Sequence, residues 1–416
     1  WCGPSSNGFH NGKKLIIQFN VTAKDGFLGG NDVPTNVETS GIYDKEDKAV
    51  KYFKEVPTVN VPIKEVKVTA EDKNVYLLGS VTTDQLKTGA TVTVKCGDKC
   101  GKVKLDLSKA NENYGLADWQ NKYGDITVEM KDKDGNAIST DGLKDLTADT
   151  TYTVSVAVKP KYDGANSEGT PATEQSGINT PDAKINVFKP ELTFKDGNAY
   201  YGETVSRDFT TNQAEDTVWK HGDTASTDVT MLVETAPTLD IAYALDENKV
   251  EKGKYTKEDA AVKATVTIGG TDVTQYTTFQ HQNCDPACDW QKPTTAGDPA
   301  FLIHIKTCKL TIKKTGGKDN ESYVFNIFKD GEKYSEVTIW GNRTETLHEL
   351  PVGTYTIQED TGWSWRFTPT NSAKEVKLSP TQNEGSITCT NKKDKDKWIN
   401  GFSDVKNNIF KKVATN

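Results

Sequence analysis

The chain is 416 residues long, with 34% hydrophobic and 26% charged residues and 59 acids against 51 bases, a formal net charge of -8. That length holds about three or four domains of ordinary size and excludes a single core. The acidic balance argues against nucleic acid or an anionic membrane surface as partner, and no stretch approaches the ~20 apolar residues of a spanning helix. The N-terminal WCGPSSNG carries no basic and apolar leader, so an exported protein is expected here in a mature or excised form.

Thr, Val, Tyr, Lys, Asp and Gly recur in short alternating runs, which predicts an all-β chain of tandem Ig-like β-sandwich domains. The seven cysteines include two Cys-x-x-x-Cys pairs in loop-like settings, Cys96 with Cys100 and Cys284 with Cys288. Small disulfide loops in an oxidising compartment are the first reading of these pairs. A metal site is the alternative, but zinc wants four ligands at recognisable spacing and only His281 stands near a pair. No metal or other cofactor is therefore expected, and Cys2 is left over.

Residues 1–63 read as a small N-terminal β unit, with the runs KKLIIQFNV and VPTVNVPI flanking the Gly/Asn/Pro-rich loop FLGGNDVPTN. Residues 64–188 read as an Ig-like sandwich, with strands such as EVKVTA, ATVTVKC and TTYTVSVAVKP at sandwich spacing. Its DKDGN segment has half the look of a calcium loop, but Gly135 follows Asp134 directly and no Glu stands at the twelfth position, so a hairpin turn is expected. AKINVFKP is read as a closing strand before a junction, like VPTVNVPI. Residues 189–306 read as a second Ig-like sandwich with a polar middle, a turn of helix in KYTKEDAAVKA, and His221 and His281 in exposed loops. GxSxG, HExxH, Walker and Rossmann patterns are all missing from the chain, so no enzyme acting on an external substrate is expected.

Residues 307–395 form the last compact unit, and three of its strands break the alternation in the same way. Residues i, i+2 and i+4 of a strand share a face. Leu310, Ile312 and Lys314 therefore point together, as do Tyr355, Ile357 and Glu359, and Ile387, Cys389 and Asn391. A lysine, a glutamate and an asparagine would face one core, and burying such groups without partners costs several kcal/mol each. Lys313 has the opposite parity and is expected in solvent. Residues 396–416 are a short amphipathic tail in which Trp398, Phe402, Val405 and Ile409 fall on one helical face, and which either docks on the last domain or contacts a neighbouring subunit.

The opening LTIKKTGG, the strand GTYTIQED and the closing TCTN resemble a collagen-adhesin B-type (CnaB) domain of Gram-positive pilins and surface adhesins, over about a fifth of the chain. The resemblance implies an isopeptide bond between Lys314 and Asn391, promoted by Glu359 as the acid. A lysine buried among apolar groups can be a neutral nucleophile, and a buried carboxylic acid can stay protonated, polarise the asparagine carbonyl and relay a proton as ammonia leaves. Phe325, Trp363, Trp365 and Phe367 are candidates for the apolar surroundings.

Cys308 and Cys389 share the faces of Lys314 and Asn391, which invites a disulfide between first and last strands. However, Cys308 precedes Lys314 by six residues and Cys389 precedes Asn391 by two, so both bonds cannot link these strands squarely. Asn60 and Asn186 on closing strands, with lysines such as Lys14 and Lys67, are weaker crosslink candidates, and VSVAVKPK, ending at Lys161, is a loose match to a pilin lysine motif. The implied function is a structural subunit of a pilus or fibrillar adhesin, secreted to the cell surface, with neighbouring copies of itself as partners. The alternative is a module presenting loops such as FLGGNDVPTN or CDPACDW to a host glycan or protein. The lack of an LPxTG signal implies its removal, a truncated chain, or joining through the tail.

Overall fold

The computed structural model describes residues 29–35, 41–43, 49–52, 57–96, 102–109, 120, 124–161, 169–213, 216–282, 299–361, 367–371 and 373–393. The chain divides into two compact units, Trp1–Lys189 with Trp219–Ala236, and Pro190–Val218 with Pro237–Asn416. The described residues are almost entirely β, as the alternating composition predicts.

In the first unit, the strand Thr150–Pro160 pairs antiparallel with Gly124–Asp132 from Tyr152 to Pro160. Its inward residues Tyr152, Val154, Val156 and Val158 are fully buried. A three-stranded sheet of Glu65–Thr69, Thr91–Lys95 and Lys102–Asp106 contributes Val68, Val92, Val94 and Leu105 to the core. The DKDGN segment is the expected turn: Asp132 Oδ1 accepts from the amides of Asp134 and Asn136, and Gly135 takes the positive φ of 83° that the reversal needs. A short helix, Thr83–Lys87, escaped the sequence reading. It is fixed by a capping box in which Thr82 and Gln85 satisfy each other's backbone, and it buries Leu86 completely. Asn60 Oδ1 accepts from the Asp32 amide, and Asn186 Nδ2 donates to Asn74.

AKINVFKP does end the main segment of the first unit, at Lys189, but the strand does not stop there. This run opens a 13-residue strand, Ala183–Lys195, that runs on past Pro190. In the second unit, its last five residues pair parallel with Thr278–Gln282. A five-stranded sheet places Phe301–Lys306 between Gly197–Tyr200 and Ala260–Ile268. Phe194, Phe209, Tyr243, Phe279 and Phe301 meet there edge to face or tilted, at centroid distances of 5.4 to 6.3 Å. The helical turn expected in KYTKEDAAVKA is replaced by the strands Lys254–Tyr255 and Ala260–Ile268. There Ala260, Val262, Ala264 and Val266 alternate inward, so period two overrides the helix propensity of alanine. His281 also departs from expectation, since it lies in a strand with a side chain only 2% exposed. His221 is half-exposed, with its Nε2 2.8 Å from Asp149 Oδ2.

The last sandwich, also in the second unit, consists of two four-stranded sheets. One has the order Thr344–Leu350, Cys308–Thr315, Glu384–Lys393, Phe367–Pro369, and the other Glu332–Trp340, Ser322–Lys329, Gly353–Glu359, Lys374–Leu378. Opening strand Cys308–Thr315 and closing strand Glu384–Lys393 are parallel neighbours. The core between the sheets includes Leu310, Ile312, Tyr323, Phe325, Ile327, Tyr355 and Ile357.

His304 ties the five-stranded sheet together. Its Nδ1 lies 2.8 Å from Asp259 Oδ2 and its Nε2 3.2 Å from Asp196 Oδ2. The other oxygens of these carboxylates accept the amides of Ile305 and Leu302. A ring with a carboxylate at each nitrogen donates to both only as an imidazolium, and these partners raise its pKa above the ordinary 6.5 against the pull of burial. With the folded pKa raised, the contribution is complete below pH ~6.5 and is lost as pH rises through the folded value. The buried His281, 3.9 Å from Asp196, has its pKa lowered chiefly by burial and acts with the opposite slope. The difference between wild type and His304→Gln isolates the clamp. From about pH 6 to about pH 8 the thermal midpoint of the wild type should fall more steeply than that of the variant, and parallel curves would remove the clamp from the account.

Candidate functional site

The alternation in the last sandwich holds residue by residue. In the opening strand Cys308, Leu310, Ile312 and Lys314 are buried, while Lys309 and Lys313 are exposed. In Gly353–Glu359 the buried set is Tyr355, Ile357 and Glu359, and in the closing strand Ile387 and Asn391 point inward. Two adjacent strands of one sheet thus carry the lysine and the asparagine, and the facing sheet carries the acid.

The three side chains meet. Lys314 Nζ donates to Glu359 Oε2 at 3.0 Å, and Asn391 Nδ2 donates to Glu359 Oε1 at 2.7 Å. The lysine side chain has no solvent exposure and that of Glu359 only 3%. Burial holds the Lys314 pKa below the ordinary lysine value of 10.5, against the opposing hydrogen bond and charge of Glu359. An isolated buried charge is costly, and these residues are affordable there only as a set.

One atom is left over. Asn391 Oδ1 is buried without a hydrogen-bond partner, a deficit of about 1–3 kcal/mol for a neutral group. The acid was expected to meet the asparagine carbonyl, but here it meets the amide nitrogen. The reason is local: both Glu359 oxygens accept here, Oε2 from the lysine, so the amide turns its NH2 toward Oε1.

The turn after Lys314 closes the site. Gly316 has φ of +72°, and a Cβ there would lie 2.1 Å from the backbone carbonyl oxygen of Asn391, so only glycine allows this approach. Of the expected apolar surroundings, Phe325 and Phe367 are buried, and the Phe325 ring centroid lies 6.0 Å from Lys314 Nζ. Trp363 and Trp365 lie outside the described residues. The closer ring, Tyr323 at 4.4 Å, escaped the sequence reading although its spacing of two from Phe325 puts both on one strand face.

The disulfide between Cys308 and Cys389 is overturned, because both are free thiols. Lys314 pairs in register with Cys389, which sets Cys308 six residues away along the parallel strand, roughly 20 Å at the usual rise. Burial pushes both thiols above their ordinary pKa. Cys96 is buried and disulfide-bonded. Cys2, Cys100, Cys284, Cys288 and the tail residues Trp398, Phe402, Val405 and Ile409 lie outside the described residues. Among the described residues no cluster of three or more His, Cys, Asp or Glu side chains could hold a metal ion, and no helix is long and apolar enough to cross a membrane.

None of the known protein families matches this chain, and no curated protein does. Solved structures similar to it include the Bacillus anthracis TIE protein, at 12% identity and a TM-score of 0.28 over 82% of this chain, which spans 59% of that one. BcpA, the major pilin subunit of Bacillus cereus, aligns at 8% identity and a TM-score of 0.26 over 79% of this chain and 100% of its own. An adhesin of Mobiluncus mulieris with intramolecular disulfide, isopeptide and ester bond cross-links aligns at 14% identity and a TM-score of 0.21, over 65% and 98%. These likenesses are too distant to carry a function to this chain.

The free thiols give a direct check. After alkylation of denatured, unreduced protein, peptides containing Cys308 and Cys389 should each carry the label, and a disulfide-linked pair of these peptides would contradict the observed register.

Proposed function

We propose that this chain is a structural subunit of a bacterial surface filament or fibrillar adhesin, with its last sandwich stiffened by an isopeptide bond between Lys314 and Asn391. One observation carries the reading: in a dry core, a single carboxyl, Glu359, bridges the amine that would attack and the amide nitrogen that would leave. Secretion to the cell surface, neighbouring copies as partners, and a disulfide at Cys96 with Cys100 as its mate belong to the same proposal. So does the division into stalk units 1–63, 64–188 and 189–306 ahead of the crosslinking domain 307–395.

The proton inventory fits the reaction. An ammonium beside a carboxylate and an amine beside a carboxylic acid hold the same proton, so the reactive form is reached by transfer within the pair, which the depressed lysine pKa favours. The neutral Nζ attacks Asn391 Cγ, the carbonyl electron pair moves to Oδ1, and a tetrahedral centre forms. Glu359 gives its proton to Nδ2, the Cγ–Nδ2 bond breaks and ammonia leaves. Glu359 then takes a proton from Nζ, which leaves a secondary amide and a protonated acid. Nothing regenerates the amine, so each molecule reacts once.

The intact mass tests this. Wild type should be lighter than its sequence by about 17 Da, the mass of the ammonia lost in amide formation, whereas Lys314→Met, Asn391→Ala and Glu359→Ala should keep the full mass. A wild type at full mass would end the crosslink proposal.

A further inference from the structure

The Lys314 amine is held from two sides. Glu359 Oε2 takes one of its hydrogens at 3.0 Å, and the face of the Tyr323 ring lies 4.4 Å away, within the ~6 Å over which an aromatic face attracts a cation. We infer that Tyr323 is a positioning residue for the crosslink, its ring fixing Nζ beside Glu359 and Asn391, and that Gly317 is the residue whose missing side chain lets the ring lie there. This inference rests on the crosslinking reading above.

The ring is itself secured. Tyr323 Oη accepts the Lys318 amide at 2.7 Å and lies 3.4 Å from Glu321 Oε2, to which it donates. The residue is 2% exposed. A Cβ on Gly317 would lie 2.5 Å from both Cζ and Oη of Tyr323 and 2.7 Å from Cε2. The glycine pair after Lys314 thus serves two contacts: Gly316 admits the backbone carbonyl of Asn391 and Gly317 admits the ring. Both contacts lie within three residues of the amine, so the turn places the ring and the closing strand relative to it.

A lysine side chain has four rotatable bonds, and in a cavity one wall short its amine would swing away from Asn391 Cγ. Reaction needs the two atoms about 3–3.5 Å apart and aligned, and a displacement of ~1 Å can cost a hundredfold in rate. The ring prevents that swing before and after proton transfer, because it attracts the ammonium electrostatically and stays in van der Waals contact with the neutral amine. Phe325, at 6.0 Å, stands at the limit of that range and holds the amine less closely than Tyr323 at 4.4 Å.

The test is to synthesise the full chain in a cell-free reaction and follow the loss of about 17 Da with time, for wild type, Tyr323→Phe, Tyr323→Leu and Gly317→Ala. Tyr323→Phe keeps the ring and should retain most of the wild-type rate. Tyr323→Leu, and Gly317→Ala with its ring intact but displaced, should be slower by about tenfold or more. The thermal midpoint of each variant in an Asn391→Ala background, where no crosslink forms, separates positioning from packing. A packing role alone lowers that midpoint without slowing a chain that is folded at the assay temperature. Should Tyr323→Leu not fold, Gly317→Ala with Tyr323→Phe decides. Wild-type rates in folded Tyr323→Leu or in Gly317→Ala overturn the inference. A wild type that never loses the mass overturns the crosslinking reading instead.

Discussion

The last sandwich depends on one buried contact, the carboxyl of Glu359 held between Lys314 Nζ and Asn391 Nδ2. Removing one partner of a buried ion pair typically costs about 3–5 kcal/mol, while a well-packed apolar replacement of the pair is often neutral or better. Stability alone is therefore a weak reason to keep these residues. A reaction between them is a stronger one, since it needs an amine with a depressed proton affinity, an amide within reach and a carboxyl touching both.

The topology says what such a bond would do. The opening and closing strands are parallel neighbours, so a pull on the two ends of the domain shears them along their length. Unbridged, they resist through backbone hydrogen bonds worth about 1 kcal/mol each. A covalent link from Lys314 to Asn391 carries the load past residues 315–390, and the sheets between need not unfold. The free cysteines fit this picture by their placement, since register sets Cys389 opposite Lys314 and leaves the crosslink position to the lysine and asparagine.

Much of this site was legible in the sequence because strand alternation has a period of two, so Lys314, Glu359 and Asn391 could each be assigned an inward face without a structure. Register is different. It depends on which residues of two distant strands meet, which alternation does not encode, and the Cys308–Cys389 pairing failed for that reason. Tyr323 carried the same signal as Phe325 yet stands near the strand's start, where a boundary is hardest to place. The helix Thr83–Lys87 is too short for a periodic pattern, although Thr82 and Gln85 spell its cap. His281 was misplaced because burial of a polar ring is decided by tertiary structure, here by its strand pairing beside Ala183–Lys195 with Phe194 opposite.

The central claim is a covalent bond between two named atoms, and fragmentation mass spectrometry of a proteolytic digest reads it most directly. The account predicts a branched peptide in which the Lys314 side chain is joined to that of Asn391 with ammonia lost. Separate linear peptides, carrying an unmodified Lys314 and an intact Asn391, would contradict it.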